Sequence, residues 1–231
     1  MATRPVFTPR KNSRIGVNQV MIEFDWFPGM AKVQKQKSIR SLHDAAEERN
    51  IYPVLEISSK SEIELGNKLS AFNLMIKTKK QGKSFSVETA FQSSKVFERG
   101  GPFTDLLEKT SREAKKDIRL KESGNLIAFS FFGKEYTLKP KTFFYDWVYL
   151  NALNQNSNLA DDLMRYQGFT DIEFNPKKSI NCQAYSAALY SSLRHSGLLT
   201  DALESPGVFK KILQAEYRFH DAELKVQGVL V

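Results

Sequence analysis

The spacing of apolar and polar residues predicts strand, helix and strand over the first third of the chain. Residues 17–27 (VNQVMIEFDWF) alternate between the two classes, which is the period of a half-buried strand. Residues 32–50 carry apolar side chains at helical spacing, at Ile39, Leu42 and Ala46. The apolar run at 52–58 (YPVLEIS) predicts a second strand, followed by the polar loop SSKSE.

Later segments predict mainly helices. Helical periodicity covers 104–121, 141–153, 158–166 and 180–199, and Gly197 marks the end of the last of these helices. Residues 124–140 predict a hairpin turning at Gly133, and 169–179 a short strand with a turn. We therefore expect a mainly α fold with short β strands (α+β).

The pattern shows neither an internal linker nor a repeat. Residues 1–14 are basic and contain Pro5 and Pro9, which predicts a basic flexible arm without regular structure. Residues 15–231 are then expected to form a single domain.

A polar row in the segment SVETAFQSSKVFERGGPF (86–103) is the first candidate for chemistry. Ser86 is suited to cap a helix, and a helical projection gathers an apolar stripe on one side. Glu88, Gln92 and Lys95 fall on the adjoining side at spacings of four and three. By spacing alone, the row is better interpreted as a solvated surface ladder worth a few tenths of a kcal/mol.

Other polar stretches add candidates for binding. Serines, a lysine and an asparagine occupy the loops around 58–73, namely Ser58, Ser59, Lys60, Ser70 and Asn73. Gly100 and Gly101 permit close approach of a ligand or form a tight turn. The helix at 104–121 presents Lys115, Lys116 and Arg119 as a basic edge, with Lys115 better explained as an ordinary solvated charge.

A second acidic candidate lies late in the chain, in FTDIEFNP (169–176). Asp171 and Glu173 alternate with apolar residues, so on a strand both carboxylates would share one face. Such a pair repels itself unless a cation or a substrate lies between its members. The alternative is the exposed face of an edge strand. Asn181 would cap the following helix.

Composition indicates which binding partners to expect and argues against several classes of protein. The net charge is +8 and the pI about 9.4, which favours anionic partners. Cys182 is the only cysteine, so no internal disulfide or multi-cysteine metal site is expected. The sequence lacks nucleotide-binding glycine loops, a hydrolase elbow and an apolar membrane span. We expect a cytoplasmic protein with no membrane association.

In their order along the chain, the segments LSAFNL, SVETAFQSSKVF, AKKDIRL and FTDIEFNP resemble the NADAR (YbiA-like) family. The surrounding segments are similar to the branch encoded beside DarT-type toxins, over roughly residues 1–200. The resemblance implies a YbiA-like single domain with N-glycosidase activity that removes ADP-ribose from guanine in DNA. It also implies an antitoxin role against a DarT-type ADP-ribosyltransferase, whether or not the two proteins bind directly.

The resemblance also implies roles for the candidates. Glu88 would be the catalytic carboxylate, with Lys95 or Lys60 as the key lysine, either as a proton donor or through an imine. The expected substrate contacts are Ser58, Ser59, Ser70, Phe72, Asn73, Phe91, Gln92, Gly100, Gly101, Lys116, Arg119, Asp171, Glu173 and Asn175. Neither a metal nor a cofactor is required. A glycosidase for a free phosphoribosyl metabolite and a non-catalytic antitoxin that binds its toxin remain alternatives.

Overall fold

The structure is a computed structural model that describes residues 1–11, 15–78, 82–176 and 179–226. The chain divides into two compact units. Met1–Ser70 and Asn156–Val231 form the discontinuous unit, and Ala71–Gln155 form the inserted unit. The single domain expected over 15–231 stays a prediction, because a compact unit need not fold on its own.

Helices and short strands alternate along the chain. The strands are β1 (Ala2–Pro9), β2 (Val17–Phe24), β3 (Val54–Glu56), β4 (Met75–Lys77), β5 (Ser84–Ser86), β6 (Lys95–Phe97), β7 (Leu126–Phe131), β8 (Lys134–Tyr136) and β9 (Gly168–Thr170). The α-helices are α1 (Lys32–Glu47), α2 (Glu64–Lys68), α3 (Val87–Ser93), α4 (Ser111–Lys116), α5 (Arg119–Glu122), α6 (Phe143–Gln155), α7 (Ser157–Leu163), α8 (Gln183–His195), α9 (Leu199–Ala202), α10 (Pro206–Ile212) and α11 (Gln214–Val226). A 3-10 helix covers Thr104–Glu108. The predicted α+β class is confirmed.

A four-stranded sheet organises the discontinuous unit. Its strand order is β2-β1-β9-β3, with β9 and β3 parallel and the other pairs antiparallel. Val6 packs in the core with α1, whereas the next residue, Phe7, packs edge-on against Tyr185 of α8. Since neighbouring side chains of a strand point to opposite faces, α1 and α8 cover the two faces of the sheet.

The predicted flexible arm is wrong for residues 2–9. These residues form β1, which pairs with β2 over its whole length and buries Val6 and Phe7. Arg10 continues from the strand into an ion pair with Glu216 of α11, at 2.8 Å. The apolar positions of the segment, rather than its basic charge, decide its structure. Residues 12–14 of the predicted arm lie outside the described residues.

An aromatic core fills the inserted unit. Phe144 of α6 contacts the rings of Phe129, Phe131 and Tyr136, and Phe91 of α3 packs against Phe129 and Tyr145. The hairpin of β7 and β8 turns at Gly133 as predicted, and β6 pairs with β7. This core fixes α3 from its apolar side.

Two helix predictions need correction. The single helix predicted over 104–121 is a 3-10 helix followed by α4 and α5, because Lys109–Thr110 and Asp117 leave helical geometry. Asn181 does not cap α8, whose N-terminal cap position is Cys182 without a side-chain hydrogen bond. No helix among the described residues is long and apolar enough to cross a membrane.

Candidate active site

Helix α3 begins as the sequence predicts but ends early. Ser86 Oγ accepts a hydrogen bond from Thr89 N at 3.1 Å, which caps the helix. Every side chain from Val87 to Ser93 is buried. Lys95 begins β6 instead of continuing the helix, so the predicted helical row of three residues is wrong as a helix face. The interpretation as a solvated ladder is also wrong, since Glu88 and Gln92 are only 5% and 7% exposed.

Three side chains of the inserted unit nevertheless gather around the Glu88 carboxylate, and we call Glu88, Gln92, Lys95 and Lys115 the Glu88 cluster. Gln92 Nε2 donates to Glu88 Oε1 at 2.8 Å, and Lys115 Nζ lies 3.8 Å from the same oxygen. Both contacts reach Oε1, so the protein holds one oxygen of Glu88. Its other oxygen, Oε2, has no hydrogen-bond partner among the described residues. The arrangement leaves one carboxylate oxygen for a ligand.

Lys95 is the half-buried cation of the cluster. Its Nζ lies 4.9 Å from the ring centroid of Phe91 and has no carboxylate within 4.0 Å among the described residues. Burial lowers the pKa of Lys95, the nearby charge of Lys115 lowers it further, and the charge of Glu88 opposes the shift. A lysine in this state releases its proton more easily than a solvated lysine does.

Lys115, which the sequence favoured as an ordinary solvated charge, belongs to the site. Its Nζ lies 5.1 Å from the ring centroid of Phe72, and its side chain remains 57% exposed. Ser111 Oγ, at the start of the same helix, donates to Phe72 O and hydrogen-bonds Ser86 Oγ, both at 2.8 Å. These bonds tie α4 to α3. Lys115 and Glu88 lie on different helices, so the spacing of residues within one helix cannot predict their contact.

The carboxamide of Gln92 forms a hydrogen bond through its nitrogen but not through its oxygen. Its Nε2 must face Glu88, because a carboxylate accepts hydrogen bonds and the amide oxygen cannot donate one. Its Oε1 is then buried without a hydrogen-bond partner among the described residues. A buried acceptor in this state calls for a donor from outside the protein.

The other predicted contacts of the inserted unit differ in their surroundings. Phe91 belongs to the aromatic core, and Asn73 is exposed beside half-buried Phe72. Gly101 has a φ of +90° and lies so close to the backbone of Lys95 that a Cβ would meet its carbonyl oxygen at 2.3 Å. This contact alone requires glycine at position 101, with or without a phosphate.

Of the residues predicted to bind phosphate, Arg119 forms ion pairs with two aspartates. Arg119 binds Asp105 through Nη2 at 2.7 Å and Asp117 through Nε at 2.8 Å. The hydrogen bonds that Arg119 donates to Asp117 and Asp105 raise the pKa of Arg119, and its charge is already balanced. Lys116 is exposed at the end of α4. Gly100 exchanges backbone hydrogen bonds with Phe97 in a tight turn.

The discontinuous unit contains a second polar cluster, centred on a residue that the sequence analysis missed. Glu56 of β3 is 1% exposed and accepts hydrogen bonds from Thr170 Oγ1 at 2.7 Å and Ile172 N at 2.9 Å. Burial raises the pKa of Glu56 despite these bonds. The signal was present in the sequence, as a lone acid inside the apolar run VLEI.

Asp171 and Glu173 do not share a strand face. Strand β9 ends at Thr170, and Glu173 N turns back to donate to Asp171 Oδ1 at 3.0 Å. Asp171 is half-buried, and burial together with the charge of Glu56 raises its pKa to about 8. Glu173 is exposed and its Oε1 lies 3.5 Å from Lys35 Nζ. The paired acids are therefore Glu56 and Asp171.

The remaining candidates of this unit mostly shape turns. Ser58 Oγ accepts from Lys60 N at 3.1 Å, and Ser70 Oγ donates to Asn67 O at 2.7 Å. Ser59 is exposed, whereas Lys60 and Asn175 are half-buried. The backbone carbonyl of Lys60 accepts from Gln36 Nε2 at 3.5 Å. The structure thus assigns local hydrogen bonds to Ser58 and Ser70, and their substrate contacts stay predictions.

Comparison with known families agrees with the resemblance of the motifs. The model of the DarT1-associated NADAR antitoxin family matches residues 2–223, so the chain belongs to that family. Membership supports an antitoxin role and a functional link to a DarT toxin. No curated protein matches the chain.

Proposed function

We propose that this antitoxin is an N-glycosidase that removes ADP-ribose from guanine bases in DNA. The observation that carries the proposal is the Glu88 cluster. It holds one oxygen of a buried carboxylate through Gln92 and Lys115 and leaves the other oxygen for a ligand. Removal of the modification would reverse the action of a DarT-type toxin without any need to bind the toxin.

The carboxylate suits the chemistry of the bond. Cleavage of a base–ribose bond builds positive charge at the anomeric carbon, in an oxocarbenium-like transition state. Glu88 stabilises that charge and accepts a proton from the attacking water. The products are ADP-ribose, with a new hydroxyl at the anomeric carbon, and guanine, which regains a proton in place of the sugar.

Lys95 supplies the proton that the leaving guanine requires. Burial and Lys115 lower its pKa, which brings its acidity closer to neutral pH, where a general acid works best. The same shift would favour an imine with ring-opened ribose, because only the neutral amine is a nucleophile. Lys60 remains the competing lysine for both roles.

Several other residues are candidates for binding the rest of the substrate. Lys116 and the turn at Gly100-Gly101 are candidates for the pyrophosphate, and contacts of Asp171 with sugar hydroxyls stay a prediction from the sequence. The predicted contacts of Arg119 and Glu173 would require these side chains to exchange their present ion pairs. The net charge of +8 favours attraction to the DNA backbone, with the salt dependence that follows.

The test is a mass measurement on an oligonucleotide that carries one ADP-ribosylated guanine. After incubation with wild-type protein, we expect the mass of unmodified oligonucleotide together with free ADP-ribose. An intact modified oligonucleotide would overturn the proposal. Release of phosphate-linked sugar only from free phosphoribosyl compounds would favour the metabolite glycosidase. Protection from the toxin without any cleavage would favour a binding antitoxin.

A further inference from the structure

The unused acceptor of Gln92 lies beside the reacting carboxylate. Gln92 Nε2 and Glu88 Oε1 are 2.8 Å apart, so Gln92 Oε1, which belongs to the same carboxamide, lies near the Glu88 carboxylate. Gln92 is 7% exposed, and its Oε1 has no hydrogen-bond donor among the described residues. A buried acceptor without a donor loses its hydrogen bonds to water and gains none in return, which is unfavourable in free energy. Binding of a substrate that supplies a donor is therefore strongly favoured.

The proposed substrate has a donor at the required place. If Glu88 acts at the anomeric carbon, the nearest hydrogen-bond donor of the sugar is the hydroxyl on the adjacent carbon, the 2′-hydroxyl. Hydrogen bonds to the corresponding hydroxyl strengthen in the transition states of glycosidases. We propose that Gln92 Oε1 accepts a hydrogen bond from the 2′-hydroxyl of the ribose that links ADP-ribose to guanine. This inference rests on the proposed function.

The consequence is selection between two similar bonds. A modified guanine in DNA carries one N-glycosidic bond to the ribose of ADP-ribose and another to the 2′-deoxyribose of its own strand. Only the first sugar has a 2′-hydroxyl. The deoxyribosyl bond is intrinsically the easier one to break, because no 2′-hydroxyl withdraws electrons from the developing cation. Gln92 therefore directs cleavage to the modification and spares the DNA.

The test compares two oligonucleotides that differ only in this hydroxyl, one with ADP-ribosyl guanine and one with 2′-deoxy-ADP-ribosyl guanine. The measured quantity is the ratio of kcat/KM for the two substrates. In Gln92→Met, we expect this ratio to fall roughly tenfold to a hundredfold relative to wild type. Loss of the bond to Glu88 affects both substrates, and the change in the ratio isolates the interaction between Gln92 and the 2′-hydroxyl.

Gln155→Met is the matched control. Gln155 is an exposed glutamine of the same unit whose Oε1 already accepts from Lys77 N at 3.0 Å. This variant should keep the wild-type ratio. An unchanged ratio in Gln92→Met would overturn the inference while leaving the proposed function intact. Absence of cleavage by wild-type protein would overturn the proposed function and the inference together.

A binding measurement covers the case in which Gln92→Met is folded but too slow to assay. By calorimetry, wild type should bind ADP-ribose at least about tenfold more tightly than its analogue lacking the 2′-hydroxyl of the terminal ribose. Gln92→Met should bind the two equally. Equal affinities in wild type, or a preference that persists in the variant, would contradict the role of Gln92.

Discussion

Lys95 is a charged side chain kept in a place where charge is unfavourable. Burial lowers its pKa, and its Nζ lies over Phe91 without an ion pair among the described residues. Replacing it by Met removes the desolvation cost and keeps the packing. We expect Lys95→Met to lose activity and to gain roughly 1 kcal/mol in the free energy of unfolding at pH 7, measured by urea denaturation.

The control for this prediction is Lys116→Met. Lys116 is an exposed lysine of the same unit, so its replacement should change the free energy of unfolding by less than about 0.5 kcal/mol. A Lys95→Met variant less stable than wild type would show that Lys95 is a structural cation instead of a functional one.

Asp171 makes stability depend on pH in a defined direction. Its pKa is about 8 in the folded protein and 3.8 as a free side chain, so the folded state retains a proton that the unfolded state releases. The stabilisation is full below pH 3.8 and is lost as the pH rises to 8. The expected slope is at most about 1.4 kcal/mol per pH unit.

Asp171→Asn should flatten this slope. Urea unfolding of wild type at pH 5, 6, 7 and 8 is expected to give a falling free energy, and the variant a smaller fall. Glu204→Gln, which replaces an exposed acid of the same unit, should retain the wild-type slope. Parallel slopes in wild type and Asp171→Asn would refute the raised pKa.

At the scale of elements, Ser86 joins two helices. It caps α3 through Thr89 N and hydrogen-bonds Ser111 at the start of α4, the helix that carries Lys115. Ser86→Ala should lower the free energy of unfolding by about 1 kcal/mol or more in urea titrations. Ser84→Ala, an exposed serine of β5, should have little effect. Equal stability of the two variants would contradict the joining role.

Periodicity predicted the elements better than it predicted the site. The helices 32–50 and 180–199, the cap at Ser86 and the hairpin at Gly133 follow from local patterns, and all are present. Glu88 and Gln92 were also found, since both lie on one short helix. The position of Lys95 was misjudged because nothing local shows that α3 ends at Ser93.

Lys115 and Glu56, which the sequence did not assign to a site, have their partners in distant segments of the chain. Lys115 reaches Glu88 from another helix, and Glu56 meets Asp171 only because β3 and β9 pair in parallel. A single sequence shows the chemical type of such residues but not their partners. Glu56 was still detectable, since an acid inside an apolar strand must find hydrogen bonds or a proton.

For the whole molecule, both ends of the chain build the discontinuous unit. The N-terminal segment looked irregular because of Pro5 and Pro9. A proline has no N–H to donate to a neighbouring strand. Strand β1 tolerates Pro5 and Pro9 because β9 pairs with it at Phe7 alone, so neither proline has a β9 partner that would need this donor. The family match over residues 2–223 agrees with a fold that includes this strand.

In the proposed function, Glu88 is the carboxylate that breaks the bond between ADP-ribose and guanine. The most direct measurement is the single-turnover rate of ADP-ribose release from a modified oligonucleotide by wild type, Glu88→Gln and Glu108→Gln. Glu108 is an exposed acid paired with Lys83 in the same unit. We predict that Glu88→Gln is folded and slower by at least about a hundredfold, and that Glu108→Gln matches wild type. Release at the wild-type rate by Glu88→Gln would contradict the account.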